Sequence, residues 1–213
     1  MFKRLCIAAL VLCVGYVVFV LYVERTDLMQ RCKNGDSGAC GVLILYYQEA
    51  CNKNEAVGCY NLGVLYMKGQ VVQQDYKKSI EYYQKACDLN HTNACFYLGV
   101  SYERGRGVRV NYKKAIEYYQ KACNMEEAAS CHNLGVLYAE DGAQKNYHRA
   151  KEYFQKACDM KLSTACFNLG NFYMLGHGVR QDFATAKEHY GKACDLGEQE
   201  GCDKYRELRE RGF

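Results

Sequence analysis

Cysteine is the residue type best equipped for chemistry in this 213-residue chain, and twelve of its fourteen cysteines obey one rule. They form six pairs eight positions apart: Cys32/Cys40, Cys51/Cys59, Cys87/Cys95, Cys123/Cys131, Cys158/Cys166 and Cys194/Cys202. Thiols at fixed spacing can close disulfides or ligate a soft metal ion. Structural zinc sites favour cysteines roughly two to four residues apart, with a second pair within bonding distance. The spacing of eight argues against such a site, and no metal or other cofactor is expected.

Other reactive groups offer less. The serines Ser37, Ser79, Ser101, Ser130 and Ser163 each lack a lysine three residues on, and Ser-Asp-Asn and Lys-Thr-Gly are absent. The histidines His91, His132, His148, His177 and His189 show no His-Glu-x-x-His or other paired metal spacing. No catalytic residue is therefore expected, and exposed or packing histidines are the favoured reading. A composition of 49% hydrophobic and 24% charged residues suits a folded domain. The net charge of +4 is spread singly or in Lys-Lys pairs among acidic residues, which excludes nucleic acid as a partner.

The cysteines are carried by a repeat. From Cys51 onward the first members of successive pairs lie 36, 36, 35 and 36 residues apart. The segment Ile80–Cys87 recurs at Ile116–Cys123 and, with changes, at Ala150–Cys158. Each repeat holds two helical patterns: Cys95, Leu98, Gly99 and Tyr102 share one face, and Ile80, Tyr83 and Cys87 another. Between them runs a loop, glycine-rich in Gly105-Arg106-Gly107-Val108, closed by a helix-capping residue: Asp75, Asn111, Asn146 or Asp182. The one-residue deletion in the third repeat falls in this loop. Gly63, Gly99, Gly135 and Gly170 recur inside the first helix despite a cost of about 1 kcal/mol each, so close approach of the partner helix is expected there. The aromatic pairs Tyr82/Tyr83, Tyr118/Tyr119 and Tyr153/Phe154 read as core.

The N-terminus has a different character. After Lys3-Arg4, an uncharged apolar run from Leu5 to Val23 would form a helix about 28 Å long, enough to cross a bilayer. It lacks the small residues of a signal-peptidase site before Glu24, so an uncleaved signal anchor is expected, with Cys6 and Cys13 as apolar residues inside it. The basic tail stays in the cytoplasm and the rest is exported.

The pattern Ala-x-x-x-Leu-Gly-x-x-Tyr, Gly-x-Gly-Val, and Lys-Ala-x-x-Tyr-x-x-Lys-Ala-Cys resembles the Sel-one-like repeat, a relative of the tetratricopeptide repeat. With a cysteine pair at every junction it is most similar to the Helicobacter cysteine-rich protein family. The match runs closely over 51–202; Cys40 and Cys51 are only eleven positions apart, so the first unit is truncated. The resemblance implies an all-α, right-handed solenoid of helix-turn-helix repeats. It also implies, as an alternative function, a penicillin-binding protein with weak β-lactamase activity, taking a β-lactam or peptidoglycan-related ligand.

Each cysteine pair joins the end of one repeat's second helix to the start of the next repeat's first, across a seven-residue turn, and the expected export supplies an oxidising compartment. All twelve are expected in local disulfides. The expected plan is a cytoplasmic tail at 1–4, a membrane helix at 5–23, a degenerate unit at 24–56, four repeats at 57–198 and a capping helix at 199–213. Such an array, held in the periplasm by its inner-membrane anchor or secreted if cleaved, is expected to bind a protein or peptide at the envelope or in a host. Asn61, Tyr97, Asn133 and Asn168 precede Leu-Gly in each first helix, with Lys68, Arg104, Glu140 and Leu175 seven residues on. They form a candidate groove for a peptide backbone and a carboxylate, unless the asparagines instead bond neighbouring helices. Asn90, in Asp88-Leu89-Asn90-His91-Thr92, is a candidate glycosylation site.

Overall fold

The computed structural model describes residues 26–140 and 146–213. The expected tail at 1–4, the apolar run at 5–23 with Cys6 and Cys13, and most of the shortened loop of the third repeat lie outside them. Among the described residues all regular structure is helical. Residues 26–33 form α1, followed by α2 (Ser37–Asn52), α3 (Ala56–Lys68), α4 (Tyr76–Asp88), α5 (Thr92–Arg104), α6 (Tyr112–Asn124) and α7 (Ala128–Ala139). Then come α8 (Tyr147–Asp159), α9 (Ser163–Leu175), α10 (Phe183–Asp195) and α11 (Gln199–Glu210). Two compact units result, Met1–Lys85 and Ala86–Phe213, with α4 crossing their boundary. The all-α repeat class is as expected, with a disulfide at every junction. No described helix is long and apolar enough to cross a membrane.

In the first unit, α2 carries Cys40 near one end and Cys51 near the other, so a single 16-residue helix stands where later repeats have a hairpin. This is how a separation of eleven residues satisfies two staples. The second unit stacks three hairpins, α5–α6, α7–α8 and α9–α10, and closes with α11. The last helix begins at Gln199, because Glu198 already holds the extended conformation of an N-cap. Its Leu208 is buried with Tyr190 and Ala186.

All six junctions share one geometry. The bonded pairs are Cys32–Cys40, Cys51–Cys59, Cys87–Cys95, Cys123–Cys131, Cys158–Cys166 and Cys194–Cys202, with Cα atoms 4.5–4.9 Å apart. The expected seven-residue turn between the two cysteines is corrected to a shorter one. Cys32, Cys51, Cys87, Cys123, Cys158 and Cys194 are each the next-to-last residue of their helix. Cys40, Cys59, Cys95, Cys131, Cys166 and Cys202 do not start theirs but stand fourth, a turn inside, so only three residues between partners are non-helical. A full helical turn of about 3.6 residues returns each second cysteine to the face that meets the preceding helix.

So tight a reversal needs an unusual backbone. The third residue after each first cysteine lies in the left-handed region: Gly35, Asn54, Asn90, Glu126, Lys161 and Gly197. That residue reverses the chain, and on the next residue an N–H closes the turn on the carbonyl before the first cysteine, as from His91 to Ala86 and Glu127 to Ala122. Glycine and asparagine tolerate this conformation, whereas Glu126 and Lys161 occupy it at a steric cost. By chain-entropy reasoning, each nine-residue ring contributes about 2.6 kcal/mol. In the second unit, Lys121 Nζ also donates to Cys87 O at 2.6 Å, tying one junction to the next.

Inside each hairpin the capping residues act as their types predict. The Asn111, Asn146 and Asp182 side chains accept from the N–H three residues on, each at 3.0 Å, and Asp75 accepts from Lys77 and Lys78. The recurring glycine makes room for a ring rather than for a helix backbone. A Cβ on Gly63, Gly99, Gly135 or Gly170 would lie 2.5–2.6 Å from a ring carbon of Tyr83, Tyr119, Phe154 or Tyr190. Those rings are nearly inaccessible and form the centre of each hairpin. The other aromatic of each pair stacks on the first helix: Tyr66 on Tyr82, Tyr102 on Tyr118 and Tyr138 on Tyr153. A cation from Lys78, Lys114 or Arg149 lies over the first-helix ring. In the last repeat His189 takes this place, stacked on Tyr173 at 5.4 Å.

Gly99→Ala must push Tyr119 out of its seat and is expected to cost about 2 kcal/mol through overpacking. Gly41→Ala, in an exposed stretch of α2 with nothing within 4 Å, is expected to gain about 0.5–1 kcal/mol. Urea denaturation of the two variants checks the opposite signs.

Candidate functional site

A chain of polar contacts joins the first helices of the second unit. Tyr119 on α6 donates its hydroxyl to Glu103 Oε2 on α5 at 2.5 Å and also meets the Asn133 side chain on α7. Asn133 Oδ1 lies 3.4 Å from His132 Nδ1, and His132 Nε2 lies 3.0 Å from Asn168 Nδ2 on α9. Both contacts are satisfied when the neutral imidazole carries its proton on Nδ1, donating to Asn133 and accepting from Asn168. Burial holds the His132 pKa below its ordinary value and, with the Glu103 hydrogen bond, pushes the Tyr119 hydroxyl far above its own. Burial thus favours the neutral imidazole and the intact phenol in this chain of contacts.

His132 thus connects two of the candidate groove residues, Asn133 and Asn168, and both asparagines are half-buried. Tyr97 packs edge-on against Phe96, and its carbonyl accepts from the Ser101 hydroxyl. Arg104 is exposed at the end of α5. In the first unit Asn61 and the exposed Lys68 border a separate cavity of about 630 Å³ walled by Leu43, Val64 and Leu65. In the second unit a cavity of about 450 Å³ lies against Glu140, Asn168, Asn171, Phe172, Leu175 and His177. His132, Asn171 and His177 escaped sequence reasoning. The signal for His132 was present: the position after each second cysteine is Tyr60, Phe96 and Phe167 in the other repeats, and each packs on the central ring of its hairpin. Histidine in that place keeps the ring contact, 5.5 Å from Phe154, and adds two hydrogen-bonding nitrogens.

The remaining sequence candidates have structural settings. Asn90 is exposed at the left-handed position of the Cys87–Cys95 ring, and His91 caps α5. Ser79 and Ser101 donate to the backbone carbonyls of Gly63 and Tyr97, Ser130 is buried, and Ser163 donates to Glu198. All twelve cysteines of the pairs are consumed in disulfides, so none offers a thiolate to a metal or a substrate.

Burial depresses the pKa of His91, His132 and His189 in the folded chain. As pH falls below about 6.5, the unfolded chain takes up protons that the folded one refuses. Stability is therefore expected to decline from that pH downward until the depressed folded-state values are reached. Urea midpoints at pH 7.5 and 5.5 measure the decline. His189→Tyr, which restores the residue type of the earlier repeats, is expected to shrink it.

The Sel1 repeat family matches residues 56–91, 92–126, 128–162 and 163–198. Among solved structures, the chain is similar to a Sel1 repeat protein from Oxalobacter formigenes, with 26% identity and a TM-score of 0.71, covering 83% of this chain and 71% of that one. It is also similar to c5321, a protective antigen of uropathogenic Escherichia coli, with 25% identity and a TM-score of 0.74 over 89% of this chain and 44% of that one. Helicobacter pylori cysteine rich protein B shares 32% identity over 63% of this chain and 98% of its own, with a TM-score of 0.49. No curated protein matches significantly. The repeat match covers most of the sequence and falls on the hairpins and staples described above: the chain belongs to the Sel1 repeat family.

Proposed function

We propose that this protein is an exported, disulfide-stapled scaffold that binds a protein or peptide along the first helices of its repeats, at the cell envelope or in a host. A Sel1 array is a protein-binding architecture, and six disulfides are the mark of an oxidising, extracytoplasmic compartment. The apolar run at 5–23 serves as the inner-membrane anchor, with the degenerate unit, the four repeats and the capping helix beyond it, or is cleaved to release them. That the Escherichia coli relative is a protective antigen accords with an accessible location.

The observation that carries the reading is the polar chain Glu103–Tyr119–Asn133–His132–Asn168, which holds amides in fixed orientation beside the cavity at Phe172 and Leu175. Oriented amides that both donate and accept suit a peptide backbone, and the apolar floor suits its side chains. In this reading the bonds of Asn133 and Asn168 to their neighbours are what orient them for a ligand. The β-lactam alternative draws no support from the serines, none of which has a lysine three residues on.

A photo-crosslinking residue at Leu175, on the cavity, is expected to trap a discrete partner in the native cell envelope or medium. The same residue at Glu117, exposed on the second helix α6, is expected to trap none. Equal yields from both sites, or none from Leu175, would refute binding by the first-helix face.

A further inference from the structure

We propose that the cavity between α7 and α9 is a pocket for a lysine or arginine side chain of an extended partner segment, and that Arg104, one repeat earlier, takes an acidic residue of the same segment. The assignment rests on the first-helix face being a peptide groove and gives the charge pattern of its ligand. Phe154, Phe172 and Leu175 supply apolar walls to the cavity of about 450 Å³, and Leu175 is 61% exposed at its edge. Such a wall suits the alkyl stem of a long basic side chain while its head stays near water.

Polar groups in the cavity select the sign of that head. Glu140 is exposed, has no ion-pair partner among the described residues, and caps the C-terminus of α7, where the helix dipole adds to its negative charge. No lysine or arginine lines the cavity among the described residues. Asn168 gives one Nδ2 hydrogen to His132, which leaves its Oδ1 as an acceptor and its second hydrogen as a donor. Asn171 accepts the Tyr190 hydroxyl at 2.7 Å, which leaves its Nδ2 as a donor. Glu140 is the one carboxylate among these groups and favours a cation, while Asn168, Asn171 and His177, which can each donate or accept, still hold a backbone group.

The spacing extends the pattern. Arg104 and Glu140 occupy the same repeat position, 36 residues apart, and Arg104 likewise has no ion-pair partner among the described residues. Helices packed in successive repeats lie about 8–10 Å apart. A polyproline II segment points every third side chain in the same direction, about 9 Å along its axis. An acid and a base three residues apart in such a segment therefore reach Arg104 and Glu140 together.

The test screens the full-length oxidised chain, with Glu140→Gln and Glu140→Lys variants, against a positional-scanning library of capped octapeptides. The wild type is expected to select lysine or arginine at one position and aspartate or glutamate three residues away. Glu140→Gln is expected to cut retention of the basic peptides about tenfold. Glu140→Lys is expected to replace the basic preference with an acidic one while the other preference stays. Peptides retained without charge preference, or a Glu140→Lys variant that selects as the wild type does, would overturn the pocket and leave the groove standing. A library from which nothing is retained would overturn both.

Discussion

The nine-residue ring at each repeat junction is the constraint on which the rest of the structure depends. A disulfide with its Cα atoms under 5 Å apart, closed around one left-handed residue, fixes how one helix ends and the next begins. The ring recurs six times with the same separation and the same turn bond, even where Glu126 and Lys161 must adopt a conformation that suits glycine or asparagine better. A small domain that buries little per repeat gains from such local closure, because each covalent ring removes freedom from the unfolded chain. In the truncated N-terminal unit the same device works on a single helix stapled at both ends.

Between the staples, the fold is set by one contact repeated four times: an aromatic ring from the second helix seated on a glycine of the first. This contact fixes the distance within each hairpin. In the four repeats the residue after the second cysteine, Tyr60, Phe96, His132 or Phe167, lies against the same ring, which is why it is aromatic wherever it is not histidine. At His132 the two demands meet. The imidazole fills the aromatic place in the core and also reaches Asn133 and Asn168, so a packing position becomes the hinge of a polar chain across two hairpins. The proposed binding surface is in this sense a local variation on the core and not an addition to it.

What could be read from the sequence follows from how local each feature is. Cysteine pairs eight apart, caps at Asp75, Asn111, Asn146 and Asp182, and glycines at a fixed phase each express a contact within a turn or a hairpin, and repetition made them audible above noise. Spacing gave the partners of Cys59, Cys131, Cys166 and Cys202, but not their depth inside the following helix, because a count of residues does not say where a helix begins. The glycines were legible as sites of close approach, yet the identity of the approaching group was not, since a ring and a backbone leave the same mark in sequence. The site was only half legible. Asn133 and Asn168 could be placed on one stripe by counting, whereas their link through His132 depends on a contact 36 residues long and on a substitution in one repeat alone. Glu140 and Asn168 acquire their proposed meaning only once the cavity beside them is known.

The measurement closest to the central claim is peptide mapping of protein taken from cells, alkylated and kept non-reduced throughout. The account predicts six cross-linked fragments, each joining the two cysteines of one pair eight residues apart, with no alkylated thiol among those twelve. Free thiols at these positions, or bridges between different junctions, would contradict it.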